Sequence, residues 1–122
     1  MELLVLAERS TETADALHFS GTATVQRFIA AEPSLPGRAY RVTFSPGTIT
    51  NWHTHDGVQL LLILDGHCAV QVWDGEMIIA GPGDVVRIEA TEKHWHGATE
   101  DHPTTHFAIN LGQSTEWLEE VS

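Results

Sequence analysis

Two histidine pairs carry the first chemical signal in the chain, His53 with His55 and His94 with His96. In an extended strand, residues i and i+2 point to the same face, so each pair can aim two imidazoles at one ion. Gln59 stands near the start of the next run, after Asp56-Gly57, and can return to the same face. Further on, His106, Ala108 and Asn110 share one face of a run, with Thr105, Phe107 and Ile109 on the other. Imidazole nitrogens and an amide oxygen suit first-row divalent ions such as Mn, Fe, Co, Ni and Zn. One isolated His-x-His pair is commonly accidental. Eight histidines in 122 residues, several on matching faces, favour a metal site instead. His18, His67 and His102 have no such context and read as surface or structural residues.

These side chains need short strands to position them, and the sequence supplies the pattern. Runs of β type cover 22–30, 39–44, 48–53, 58–64, 67–73, 76–80, 84–88, 94–98 and 104–110. Pro36-Gly37, Pro46-Gly47, Asp56-Gly57, Asp65-Gly66, Asp74-Gly75 and Gly81-Pro82-Gly83 punctuate them. Asp-Gly favours hairpin turns because such turns need positive φ. Many short strands at this spacing predict an all-β sandwich or barrel. The one helix candidate is 114–121, with Ser114 or Thr115 as cap and Trp117, Leu118 and Val121 as its apolar side. Residues 1–20 are expected to form an arm or edge strand, 21–111 the barrel and 112–122 a tail. Trp52 and Trp95 alternate with the histidines and are expected to face away from them.

The bulk composition excludes several function classes. A 42% apolar fraction supports one core in a chain of 122 residues. Six basic residues face 17 acidic ones, for a formal charge of −11. Such a surface repels phosphate backbones and anionic membranes, so neither is an expected partner. No apolar run approaches the roughly 20 residues of a membrane helix. The sequence lacks a secretory leader pattern, and a cytoplasmic location is expected. Cys68 is the single cysteine, which excludes an internal disulfide and a zinc site built from several thiolates. Its place in a β-type run reads as a buried, inert thiol.

The frame around the histidines is similar to the two signature motifs of the cupin superfamily. Gly47, His53-Thr54-His55, Gln59 and Gly66 follow the first motif, Gly-x5-His-x-His-x3-4-Glu-x6-Gly, with Gln for Glu. Gly83 and His94 hold their places in the second, Gly-x5-Pro-x-Gly-x2-His-x3-Asn. There, Glu89, Thr91 and Ala98 replace Pro, Gly and Asn. The strings Trp52-His53-Thr54-His55, Glu92-Lys93-His94-Trp95-His96-Gly97-Ala98 and Thr105-His106-Phe107-Ala108-Ile109 resemble the bacterial manganese cupins with (R)-selective hydroxynitrile lyase activity. Phe19-Ser20-Gly21-Thr22 and Glu116-Trp117-Leu118-Glu119 are similar too. Asp56-Gly57-Val58 departs from that family's Pro-Leu-Gly-like loop, close to the metal.

This resemblance implies a single-domain cupin, a double-stranded β-helix or jelly-roll barrel, with a short C-terminal helix or turn. It implies one divalent transition metal per chain, Mn(II) first, held by His53, His55, Gln59 and His94. It gives His96 and His106 catalytic roles in cleaving or forming a cyanohydrin, a small-molecule substrate. A neutral Gln in place of Glu leaves the site the ion's full +2 charge, which strengthens Lewis acidity and favours an anionic partner. A homodimer or higher homo-oligomer is expected. Two other functions fit the same barrel: an oxygen-using dioxygenase or decarboxylase, and a non-catalytic sensor. A metal-free epimerase would use a His/Tyr arrangement, and Tyr40 is the only tyrosine.

Overall fold

The computed structural model describes residues 1–30 and 32–122. Its strands are β1 (Thr11–Thr13), β2 (Ala23–Ile29), β3 (Arg38–Phe44), β4 (His53–His55), β5 (Gln59–Asp65) and β6 (Cys68–Val72). They continue with β7 (Met77–Ala80), β8 (Val85–Ile88), β9 (His94–Ala98), β10 (Thr104–Asn110) and β11 (Thr115–Trp117). A 3-10 turn at Leu6–Glu8 is the helical element among the described residues. The expected all-β architecture is present as two antiparallel sheets. One has the order β1-β2-β3-β10-β5-β8 and the other β11-β4-β9-β6-β7.

Alternation of burial explains why these runs pack as they do. Along β5, Gln59, Leu61 and Ile63 are buried while Leu60 and Leu62 are only partly so. Leu61 and Ile63 meet Cys68, Val70, Ile88 and Ala108 between the sheets. Each large side chain so buried contributes about 1.5–3 kcal/mol. A second cluster joins Val25, Val42, Phe44 and Ala98. Strand β9 is buried along its whole length. Trp52 and Trp95 face away from the histidines as expected and pack with Ala69, Ile49, Leu118 and Val121. Cys68 lies in the core, where burial pushes its thiol up to about 12. It is the inert thiol the sequence indicates.

Three local expectations need correction. The helix candidate at 114–121 is instead strand β11, whose Thr115, Glu116 and Trp117 pair with His55, Thr54 and His53. The open edge of β4 offers backbone donors and acceptors, and pairing there outweighs the local helix signal. The run expected at 48–53 is displaced, because β4 covers His53–His55. Ile49 bridges Gly97 and His53 pairs with His94, so the register along β9 slips by one residue between them. The slip turns both Thr50 and His53 inward, where both are buried. Gly97 permits this close pass, since a Cβ there would lie 2.6 Å from Ile49 Cα. Finally, only Asp74-Gly75 closes a hairpin, β6 to β7, with Asp74 at φ 61°. Asp56-Gly57 and Asp65-Gly66 carry the chain from one sheet to the other. Burying the Gln59, Leu61 and Ile63 face of β5 between the sheets outweighs the turn preference there.

Candidate metal centre

Both sheets contribute to one cluster of buried polar side chains. His53 and His55 come from β4, His94 and His96 from β9, Gln59 from β5 and His106 from β10. All six are buried. The His53 and His94 rings lie 4.2 Å apart between centroids, and His53 and His55 lie 5.0 Å apart. One ring nitrogen from each of His53, His94 and His96 falls within 4.8 Å of the other two, so these three buried histidines can bind a metal.

Hydrogen bonds to carbonyl oxygens fix which nitrogen two of these rings offer. His53 Nδ1 donates to Asn51 O at 2.9 Å, and His94 Nδ1 donates to Glu92 O at 2.8 Å. A ring with its proton on Nδ1 presents a lone pair on Nε2. His94 Nε2 lies 3.1 Å from Gln59 Oε1, so the two potential ligand atoms meet without a proton between them. His55 Nδ1 lies 2.9 Å from Thr115 Oγ1, while its buried Nε2 has no hydrogen-bond partner. A buried unpartnered nitrogen is costly, and a metal ion would remove that cost. Imidazole and amide donors of this kind suit a divalent ion, and the three histidines close enough together to share one are His53, His94 and His96, with His55 and Gln59 beside them.

Burial also keeps these rings neutral. It is the largest cause lowering His53, His94 and His96, and it takes His55 down to about 4. His94 adds a like-charge penalty to both His53 and His55. Neutral imidazole is the form that ligates.

A cavity of about 410 Å³ opens onto the cluster, with Phe44, Thr50, His53, His55, Gln59 and His96 in its wall. His106 is not in that wall. It sits behind His96, with Nε2 3.2 Å from His96 Nδ1 and its ring tilted against Phe44. The sequence reading missed several wall residues. His18, read as surface or structural, stacks on Trp117 at 4.3 Å, and Trp117 lies 4.6 Å from the His53 ring. Arg38, Tyr40, Val42 and Phe44 line the cavity from alternate positions of β3, a period of two visible in the sequence once the strand is assigned. His67 and His102 are exposed, as read.

Fold and site together define a small β-barrel with buried histidines able to hold a metal ion. The chain belongs to the cupin family, since residues 40–110 match the Cupin domain model. It is 36% identical over 126 aligned positions to a protein of Granulicella tundricola named (R)-mandelonitrile lyase, covering 100% of this chain and 95% of the relative. A cupin-like protein of Thermotoga maritima superposes with a TM-score of 0.87 at 33% identity, covering 94% of this chain and 89% of its own. A putative acetylacetone dioxygenase of Methylibium petroleiphilum gives 0.82 at 12% identity, covering 100% and 86%, a likeness of fold alone.

Proposed function

We propose that the protein is a metal-dependent carbon–carbon lyase that cleaves or forms cyanohydrins, with one Mn(II) held by His53, His55, Gln59 and His94. The observation that carries this reading is a buried histidine, His96, in the cavity wall beside those four residues and backed by a second histidine, His106. Full-length similarity to a named (R)-mandelonitrile lyase supports the same chemistry. The bound ion would supply Lewis acidity toward the substrate oxygen, lowering the pKa of its hydroxyl.

The protein's own groups handle the proton. With its proton on Nδ1, His96 donates to His106 Nε2 and keeps Nε2 as a base. In cleavage, His96 Nε2 takes the hydroxyl proton of the cyanohydrin. The O–H electron pair becomes the carbonyl π bond, and the C–CN pair leaves with cyanide. The imidazolium then returns the proton, giving hydrogen cyanide and an aldehyde or ketone. His106 holds the ring of His96 and accepts the hydrogen bond that strengthens when His96 is charged. Phe44 and Trp117 supply the apolar walls suited to an aromatic substrate.

The test is metal analysis of purified protein, with mandelonitrile cleavage assayed before chelation, after it and after Mn(II) return. About one ion per chain, with cleavage that disappears and returns with it, is the expected result. Bound metal without cleavage would sink the lyase reading and leave the metal site standing. Oxygen uptake by the same sample would move the protein to the oxygen-using cupins.

A further inference from the structure

The protein is strongly acidic, yet one of its few cations, Arg38, is partly buried in the cavity wall, with the exposed Arg27 at the rim. Arg27 on β2 and Arg38 on β3 both line the chamber, and Arg27 lies across from Tyr40 in the strand register. Arg27 has a counter-ion, since its Nε lies 3.3 Å from Glu12 Oε2. Arg38 has none within 4.0 Å among the described residues. Its side-chain hydrogen bond is from Nη2 to Thr115 Oγ1 at 3.2 Å, and its buried Nε reaches no acceptor. Thr115 Oγ1 in turn sits 2.9 Å from His55 Nδ1, so the guanidinium stands two hydrogen bonds from the histidine cluster.

Holding up one threonine hydroxyl does not require a charge, and a half-buried guanidinium without a counter-ion is costly. The surrounding wall offers little to neutralise it. The carboxylate in the cavity wall, Asp15, is engaged with the backbone N–H of Leu17 at 2.9 Å. A planar fork of donors matches a carboxylate, which a guanidinium holds through paired, charge-assisted hydrogen bonds.

We propose that Arg38 seats a carboxylate of the substrate, so that the chamber takes an anionic small molecule whose opposite end reaches the histidines. This rests on the reading that the same cavity is the substrate chamber, and it names the substrate class: a hydroxy or carbonyl compound carrying a carboxylate. The acidic exterior slows the approach of any anion, and the cationic interior retains one that enters.

Equilibrium binding to the manganese-loaded protein tests the proposal, with phenylacetate and its neutral isostere phenylacetamide as probes. The native protein should bind phenylacetate roughly tenfold more tightly than the amide. Arg38→Gln should bring that ratio close to one while affinity for the amide stays the same, and Arg38→Lys should keep part of it. Equal affinities in the native protein, or a preference that survives Arg38→Gln because the metal alone holds the carboxylate, would overturn the proposal. A role confined to supporting Thr115 would move both probes together and would also overturn it. If Arg38→Gln does not fold, the arginine side-chain nitrogen resonances of the zinc-loaded native protein decide. The Arg38 signal should shift with phenylacetate and not with phenylacetamide, and no shift would overturn the assignment. Binding involves no turnover, so failure to cleave mandelonitrile would leave this result interpretable.

Discussion

His106 Nε2 lies 3.2 Å from His96 Nδ1, and of the two rings only His96 reaches the cavity. In the proposed reaction the pair would work in series. With metal content unchanged, His96→Ala should lower kcat for mandelonitrile cleavage by a factor of 10² or more, in the range of a lost general base, roughly 10²–10⁴. His106→Ala should lower kcat by a smaller factor, on the order of ten, with KM nearly constant. Steady-state kinetics on both variants with metal measured in each checks this. Native turnover in His106→Ala would remove its role.

Thr115 ties the last strand to the histidine cluster. Its Oγ1 lies 2.9 Å from His55 Nδ1 and orients a ring whose Nε2 has no protein partner. Thr115→Val keeps the shape and removes the hydroxyl. Metal affinity should fall by about 10–100-fold, the usual cost of losing such a support. Competition with a metal indicator measures it, and an unchanged Kd would show that His55 is held by packing alone.

Thr91 occupies a left-handed backbone conformation, φ 64°, at the position where the second cupin motif carries glycine. The motif glycines Gly47, Gly66 and Gly83 sit at φ 75°, 72° and 89°, the region they tolerate without a Cβ. A β-branched residue there is strained, at a cost of order 1–3 kcal/mol. Thr91 is exposed, so removing its side chain loses little packing. Thr91→Gly should stabilise the protein by about 1 kcal/mol after glycine's own entropy cost, raising Tm by roughly 3 °C. Thermal unfolding decides, and a lower Tm would mean the side chain makes a contribution larger than its strain.

The metal-free protein should be acid-sensitive well above the carboxylate range. Burial holds His106 and His55 down to about 4, and it also lowers His53, His94 and His96. In the unfolded chain each would titrate near 6.5. The unfolded state thus binds more protons below that pH, and the stability these neutral rings confer is complete above about 6.5. It is withdrawn as pH falls toward 4. For fully buried His106 alone the loss amounts to about 3 kcal/mol. Denaturant titrations of metal-free protein at pH 7, 6, 5 and 4.5 should show a steepening fall, and a flat profile would mean the native state accommodates the protons.

What was legible in the sequence follows from what is local. That His53, His55, Gln59 and His94 are buried together was legible because strand geometry forces i and i+2 to one face and the motif frame fixes the intervals. The all-β architecture followed from turn residues at short spacing. The wall made by Thr115 and Trp117 was not legible, because it depends on a strand pairing that joins residues 60 apart. Nothing within 114–121 indicates it, and the capping residues and apolar spacing there imitate a helix. The places of Arg38 and His18 in the cavity are illegible for the same reason, since their neighbours there come from distant parts of the chain. The register slip before His53 leaves no mark in the sequence, because a bulge changes no residue type.

Strand β11 both closes the edge of β4 and supplies the hydroxyl beside His55. During synthesis, therefore, most of the barrel can pair before this wall exists. An ion held with His55 in its final orientation would be captured only after residues 115–117 have emerged and docked. Loading would then follow translation of that strand, on a nearly finished barrel rather than as the nucleus of one.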